Sequence, residues 1–240
     1  MSGIITEPDR ASPRPPTPYL PRLENGDHLD QKTFHARYDA MPDGVKAELI
    51  GGRVYIVASP VLVPHGRPHG QLVGWLAIYH ADTPGTDVFD NTSTVLAEDS
   101  EPQPDASLLI LPECGGQTRE EDSWIKGGPE LIVEVASSSE SYDLHEKRDD
   151  YERYGVREYV VFAARQQRVY WWVRRGDCYV ELLPGADGVF RSETFPGLWL
   201  EPAALVQGDA GKMYEVLRRG LATPEHAAFV AKLQIARKRT

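Results

Sequence analysis

The run Pro129-Glu130-Leu131-Ile132-Val133-Glu134-Val135-Ala136 decides the fold. It is short, largely apolar and broken by one carboxylate, the pattern of a strand covered on both faces rather than one that alternates between core and water. A second run of this kind, Ala106 to Leu111, lies upstream. Downstream, the spacing predicts a helix from about Asp143 to Tyr154, closed by Gly155, with Asp143 and Glu146 as a capping box. Strands are predicted again at Glu158 to Ala163, Arg168 to Val173 and Cys178 to Leu183.

Further upstream, Val45 to Ile50 and Arg53 to Ala58 flank Gly51-Gly52, a hairpin signal because glycine accepts positive φ at both turn positions. A short helix around Phe34 and Tyr38 precedes it. A longer one from Arg67 to Ala81, striped by Leu72, Leu76 and Tyr79, follows, and then a strand at Ser93 to Ala97. Hairpin, helix, strands, helix, strands is the order of an α/β (mixed α+β) domain, with helices on the faces of one mixed sheet. Proline-rich residues 1–26 read as a disordered arm, residues 27–207 as the domain, and residues 208–240 as a helical extension broken at Thr223-Pro224.

An apolar fraction of 41% without a long apolar run excludes a membrane span. The two cysteines, Cys114 and Cys178, have neither disulfide-framework nor zinc spacing. Because the N-terminus lacks an apolar h-region, the expected address is the cytoplasm. A net charge of −10 argues against a surface that grips nucleic acid everywhere, though not against a local groove. Arg165, Arg168, Arg174 and Arg175, and the stretch from Lys232 to Arg239, read as solvated surface.

Glu134 must be compensated, since an isolated buried carboxylate costs roughly several kcal/mol or more; an arginine or a metal ion would serve. Lys147 shares a helical stripe with Leu144, Tyr151 and Tyr154, which puts a cation on an apolar face. It either snorkels to water or points to a buried anion. Asp105 opens a core strand and reads by itself as a cap, while Glu48 alternates with Lys46 and reads as an exposed strand residue. Oxygen ligands without Cys or His clusters suit Mg²⁺ or Mn²⁺ rather than Zn²⁺.

The blocks Ala47-Glu48-Leu49-Ile50-Gly51-Gly52, Pro104-Asp105-Ala106-Ser107, Pro129 to Ser137, Lys147 to Tyr151 and Tyr154 to Tyr159 closely resemble, in this order, the Uma-two family of restriction-endonuclease-like proteins of the PD-(D/E)XK nuclease superfamily. The similarity covers about residues 30 to 207. It implies a Mg²⁺- or Mn²⁺-dependent endonuclease acting on DNA, with Asp105, Glu134 and Glu48 as acidic ligands. The motif lysine belongs two residues after Glu134, where Ala136 stands, so Lys147 would supply the ammonium as in the relocated-lysine variant. His69 matches a position where the family often carries histidine and would contact a phosphate or the waters around the metal; Tyr151 would orient Lys147 or simply pack. A homodimer is expected by analogy with duplex-cutting enzymes. The competing expectation is a catalytically silent nuclease-fold module that binds nucleic acid or protein, motivated by the acidic surface; a carboxylate-pair glycosidase leaves Lys147 unexplained.

Overall fold

The computed structural model describes residues 20–57, 62–137 and 140–238. Its helices are α1 (Gln31–Tyr38), α2 (Val63–Asp82), α3 (Glu140–Leu144), α4 (Glu146–Arg153), α5 (Pro202–Gln207), α6 (Ala210–Leu221) and α7 (Pro224–Arg237). The strands are β1 (Lys46–Ile50), β2 (Arg53–Val57), β3 (Thr86–Asp90), β4 (Thr94–Val95), β5 (Ala106–Ile110), β6 (Arg119–Glu121), β7 (Trp124–Lys126) and β8 (Leu131–Ala136). They continue as β9 (Glu158–Ala163), β10 (Arg168–Arg175), β11 (Cys178–Glu181), β12 (Phe190–Arg191) and β13 (Trp199–Leu200).

A six-stranded sheet in the order β11-β10-β9-β8-β5-β3 forms the centre. Only β8 and β9 pair in parallel, because α3 and α4 carry the chain over one face between them; the other neighbours are antiparallel. The mixed α/β sheet read from the sequence is therefore present. Residues of β5 and β8 are all buried, as continuous apolar runs require.

Strand alternation sorts the side chains of β8. Val133 and Val135 join the larger core with Leu72, Leu76 and Tyr79 of α2, whereas Ile132 and Ala136 face Tyr151, Tyr159 and Val161 beneath α4. Glu134 lies in register with this second set, which aims it at α4. The β1/β2 hairpin turns at Gly51 (φ 55°) and Gly52 (φ 76°), positive at both central positions as its register demands.

Several expectations need correction. Helix α2 begins at Val63 rather than Arg67 and runs through Pro68, despite the lost donor. His65 and His69, one turn apart, tie this stretch to the sheet by bonding the carbonyls of Val135 (2.9 Å) and Asp105 (3.1 Å), which offsets the proline. The helix expected from Asp143 is two helices interrupted at His145 (φ −126°, ψ −80°). Asp143 is not a cap, because its carboxylate is turned inward toward Lys147.

Strand β3, with two aspartates among five residues, and the two-residue strands β12 and β13 had no usable signal. The expected arm falls outside the described residues up to residue 19; from there the chain is already anchored, with Leu23 buried and Gly26 N–H bonded to Val54 O. Helices α6 and α7 break at Thr223-Pro224 as expected, yet Met213, Leu217, Phe229 and Leu233 share the core with α2, so these helices are built into the domain's packing. No helix among the described residues is long and apolar enough to cross a membrane.

Candidate active site

Lys147 and Tyr151 stand one turn apart on α4 and point at the same atom, Oε1 of Glu134. The ammonium lies 2.8 Å from it, and the Tyr151 hydroxyl donates to it at 3.0 Å. Burial by itself would push the Lys147 pKa down, but the carboxylates of Glu134, Glu48 and Asp143 outweigh it and hold the amine well above its ordinary value. Burial, reinforced by Glu134 and Glu48, likewise raises the Tyr151 phenol, which stays a proton donor. The charge of Glu134 is thus compensated by Lys147, whose helical stripe left a buried anion as one of its two destinations, and not by an arginine.

Glu48 reaches the cluster from β1. Its Oε1 lies 3.0 Å from Lys147 Nζ and accepts the Gln103 N–H at 2.8 Å. The side chain is buried, not exposed as alternation with Lys46 suggested, because α4 and the segment around Gln103 cover this part of the hairpin. Asp143 adds a third carboxylate 3.6 Å from Lys147.

Asp105 enters from the neighbouring strand. Pairing of β5 with β8 puts Ala106 opposite Val133, so Asp105 falls beside Glu134. The two residues exchange bonds: Val135 N–H donates to Asp105 Oδ2 at 2.8 Å, and Asp105 N–H to Glu134 Oε2 at 3.3 Å. Asp105 Oδ1 turns away toward Lys46 Nζ and His65 Nε2, each 3.7 Å distant.

Glu48, Asp105, Glu134, Asp143 and Lys147 line one end of a cleft of about 720 Å³. His65, His69, Asn91, Tyr142 and Arg165 complete its walls. His69 donates from Nε2 to the Asp105 carbonyl at 3.1 Å, with Asp90 Oδ1 2.9 Å from the same nitrogen, which fixes its ring beside the cluster. Four of the expected residues are linked through contacts, Glu48 and Glu134 to Lys147 and Tyr151 to Glu134, and Asp105 and His69 adjoin them.

The donor set fits a hard divalent cation. Asp105 Oδ1 and Glu134 Oε2 are carboxylate oxygens from adjacent chain segments, one with the Lys46 ammonium and the His65 ring at 3.7 Å and the other with a single long N–H bond. Mg²⁺ and Mn²⁺ take one or two carboxylates and keep waters, whereas a zinc cage needs more ligands. Among the described residues no three or more His, Cys, Asp or Glu are gathered so as to hold a metal ion, so an ion here would rest on two carboxylates and its own waters. Glu48 presents its Oε1 to Lys147 and Gln103 instead.

Sequence reasoning missed Lys46, His65, Tyr142 and Asp143. Only Asp143 left a trace, four residues before Lys147 and hence on the same helical face. The basic residues outside the cleft pair locally, Arg168 with Glu181 (2.9 Å), Arg174 with Asp177 (2.9 Å) and Arg175 with Glu193 (2.6 Å), as a solvated surface would.

Comparison with known proteins bears on the fold and the family. None of the curated proteins matches the chain. A protein from Anabaena variabilis ATCC 29413, described as "a putative nuclease belonging to DUF820", has a similar fold at 16% identity and a TM-score of 0.57. The alignment covers 72% of this chain and 97% of that one. The model of the Uma2 family, described as "Putative restriction endonuclease", matches residues 32–203, a stretch that holds every member of the cluster. The chain belongs to the Uma2 family of restriction-endonuclease-like proteins.

Proposed function

We propose that this protein is a metal-dependent endonuclease that hydrolyses phosphodiester bonds of DNA. The observation that carries the reading is the buried cluster itself. Three carboxylates, Glu48, Glu134 and Asp143, surround one ammonium at the end of a cleft, with Asp105 alongside. A structural ion pair needs one anion per cation; here a surplus of carboxylates is kept buried against the wall of a cleft, as a cation-binding reaction centre requires.

In this reading Asp105 Oδ1 and Glu134 Oε2 hold Mg²⁺ or Mn²⁺. The ion supplies Lewis-acid polarisation of the phosphoryl oxygen and charge neutralisation. Lys147 and Tyr151 fix Glu134 by donating to its Oε1, and its Oε2 carries only the long bond from the Asp105 N–H. Glu48 and Asp143 hold Lys147 in place. His69 braces the Asp105 carbonyl and so the start of β5. The phosphodiester lies in the cleft, water attacks phosphorus, and the P–O bond to the leaving sugar oxygen breaks with a proton returned to that oxygen. Two copies acting together would cut both strands of a duplex.

The test is incubation of the pure protein with supercoiled plasmid, linear duplex and single-stranded DNA in Mg²⁺ or Mn²⁺, beside Glu134→Ala. Cleavage by the parent only, abolished by chelation, is the expected result. Equal products from parent and variant, or none from either, would favour the silent binding module.

A further inference from the structure

We propose that Lys46, not Lys147, is the amine that meets the substrate, binding a non-bridging oxygen of the phosphodiester at the cleft wall; this rests on the nuclease reading above. The two lysines differ in what their donors already do. Lys147 is 4% exposed, bonds Glu134 and Glu48, and faces Asp143. Three carboxylates enclose the ammonium, Glu134 as a hydrogen-bond acceptor at 2.8 Å, Glu48 at 3.0 Å and Asp143 as a looser charge at 3.6 Å. A phosphate reaching Lys147 would have to displace buried carboxylates and enter a group of three negative charges and one positive, which repels it.

Lys46 is placed otherwise. It begins β1, two residues before Glu48, so strand alternation sets both side chains on the side of the hairpin that faces the cleft. Its side chain is 27% exposed, and its ammonium donates to the neutral Asn91 Oδ1 at 3.2 Å. The Asp105 carboxylate lies at 3.7 Å, beyond a good hydrogen bond, so the interaction is a loose charge pair. The stem is flexible, and its anchor is an exposed amide. A small swing takes the ammonium from Asn91 to a phosphate oxygen bound next to Asp105, with no buried contact broken. A lysine acts there as a point charge, so arginine should replace it in part.

The test uses the full-length protein and a fluorescein-labelled DNA of the form the parent cleaves. Binding is read by anisotropy in Ca²⁺ over a range of salt, and cleavage by initial rates in Mg²⁺. Lys46→Met is expected to weaken binding about tenfold and to make the dependence of log Kd on log salt shallower by about one, the mark of one lost phosphate contact. Cleavage should fall chiefly through KM, thermal stability should hold, and Lys46→Arg should restore most of the binding. If Lys46 only guards Asp105, Lys46→Met tightens Mn²⁺ binding in calorimetry and leaves DNA affinity and salt slope unchanged. That result overturns the proposal while the nuclease reading stands. A parent that neither binds nor cleaves any DNA overturns both.

Discussion

Lys147 Nζ lies 2.8 Å from Glu134 Oε1, with both side chains almost wholly removed from solvent. Glu48 and Asp143 complete the surroundings of this amine, so its removal leaves three carboxylates without their shared cation. Breaking a buried pair from one side costs roughly 3–5 kcal/mol. Lys147→Met is therefore expected to lower the urea-unfolding free energy by about that amount at neutral pH. The double variant Lys147→Met/Glu134→Gln, which also removes the most closely paired charge, should recover part of it. Equal loss in single and double variants would show that the stem, not the charge, carries the stability.

Hydroxyl groups on the same face make opposite predictions. Tyr151 donates to Glu134 Oε1, and a hydrogen bond to a charged group is worth about 1.5–3 kcal/mol, so Tyr151→Phe should destabilise in that range. The Tyr142 hydroxyl is buried without a hydrogen-bond partner among the described residues, packed by its ring on Tyr55 at 4.2 Å. Tyr142→Phe removes an unsatisfied polar atom and should leave the melting temperature unchanged or raise it. Thermal unfolding of both variants in one buffer decides; a Tyr142→Phe loss as large as that of Tyr151→Phe would contradict the geometry.

Stability should depend on pH through two groups of opposite placement. Burial, opposed by the Ser100 hydroxyl and reinforced by Asp99, pushes Asp150 up to about 6. An acid whose pKa is raised on folding stabilises the fold below its unfolded pKa, and that contribution is lost as pH climbs through the folded value. Asp150→Asn should accordingly gain on the order of 2 kcal/mol over the parent at pH 7–8 and nothing near pH 4. Lys147 has the other window: its raised pKa stabilises fully below the ordinary lysine value and fails only as pH rises through the folded one. Urea titrations from pH 4 to 9 should show the Asp150→Asn difference opening around pH 5–6, and a difference constant across that range would refute the assignment.

The residues that were legible in the sequence are those whose constraint is local. Val133 and Val135 belong to a continuous apolar run, Gly51 and Gly52 to a turn that only positive φ closes, and Lys147 to a stripe where a cation stands out. Each signal sits within one element. His65 was not legible, because its partner Val135 is 70 residues away, and neither was the burial of Glu48, which meets Gln103 at a separation of 55. Asp143 shows the same conflict in one residue. Its local pattern offers two roles, a cap and a partner for Lys147 four residues on, and the second wins because a carboxylate 3.6 Å from a buried ammonium gains more than one bonded to a solvated helix end.

Occupancy by a divalent ion is the claim on which the chemistry depends. Isothermal titration of the apoprotein with Mn²⁺ measures it directly. The structure predicts a saturable site on each chain that Asp105→Asn and Glu134→Gln each abolish with the fold intact by circular dichroism, and that Lys46→Met preserves. Absence of binding by the parent, or binding that survives both carboxylate substitutions, would contradict it.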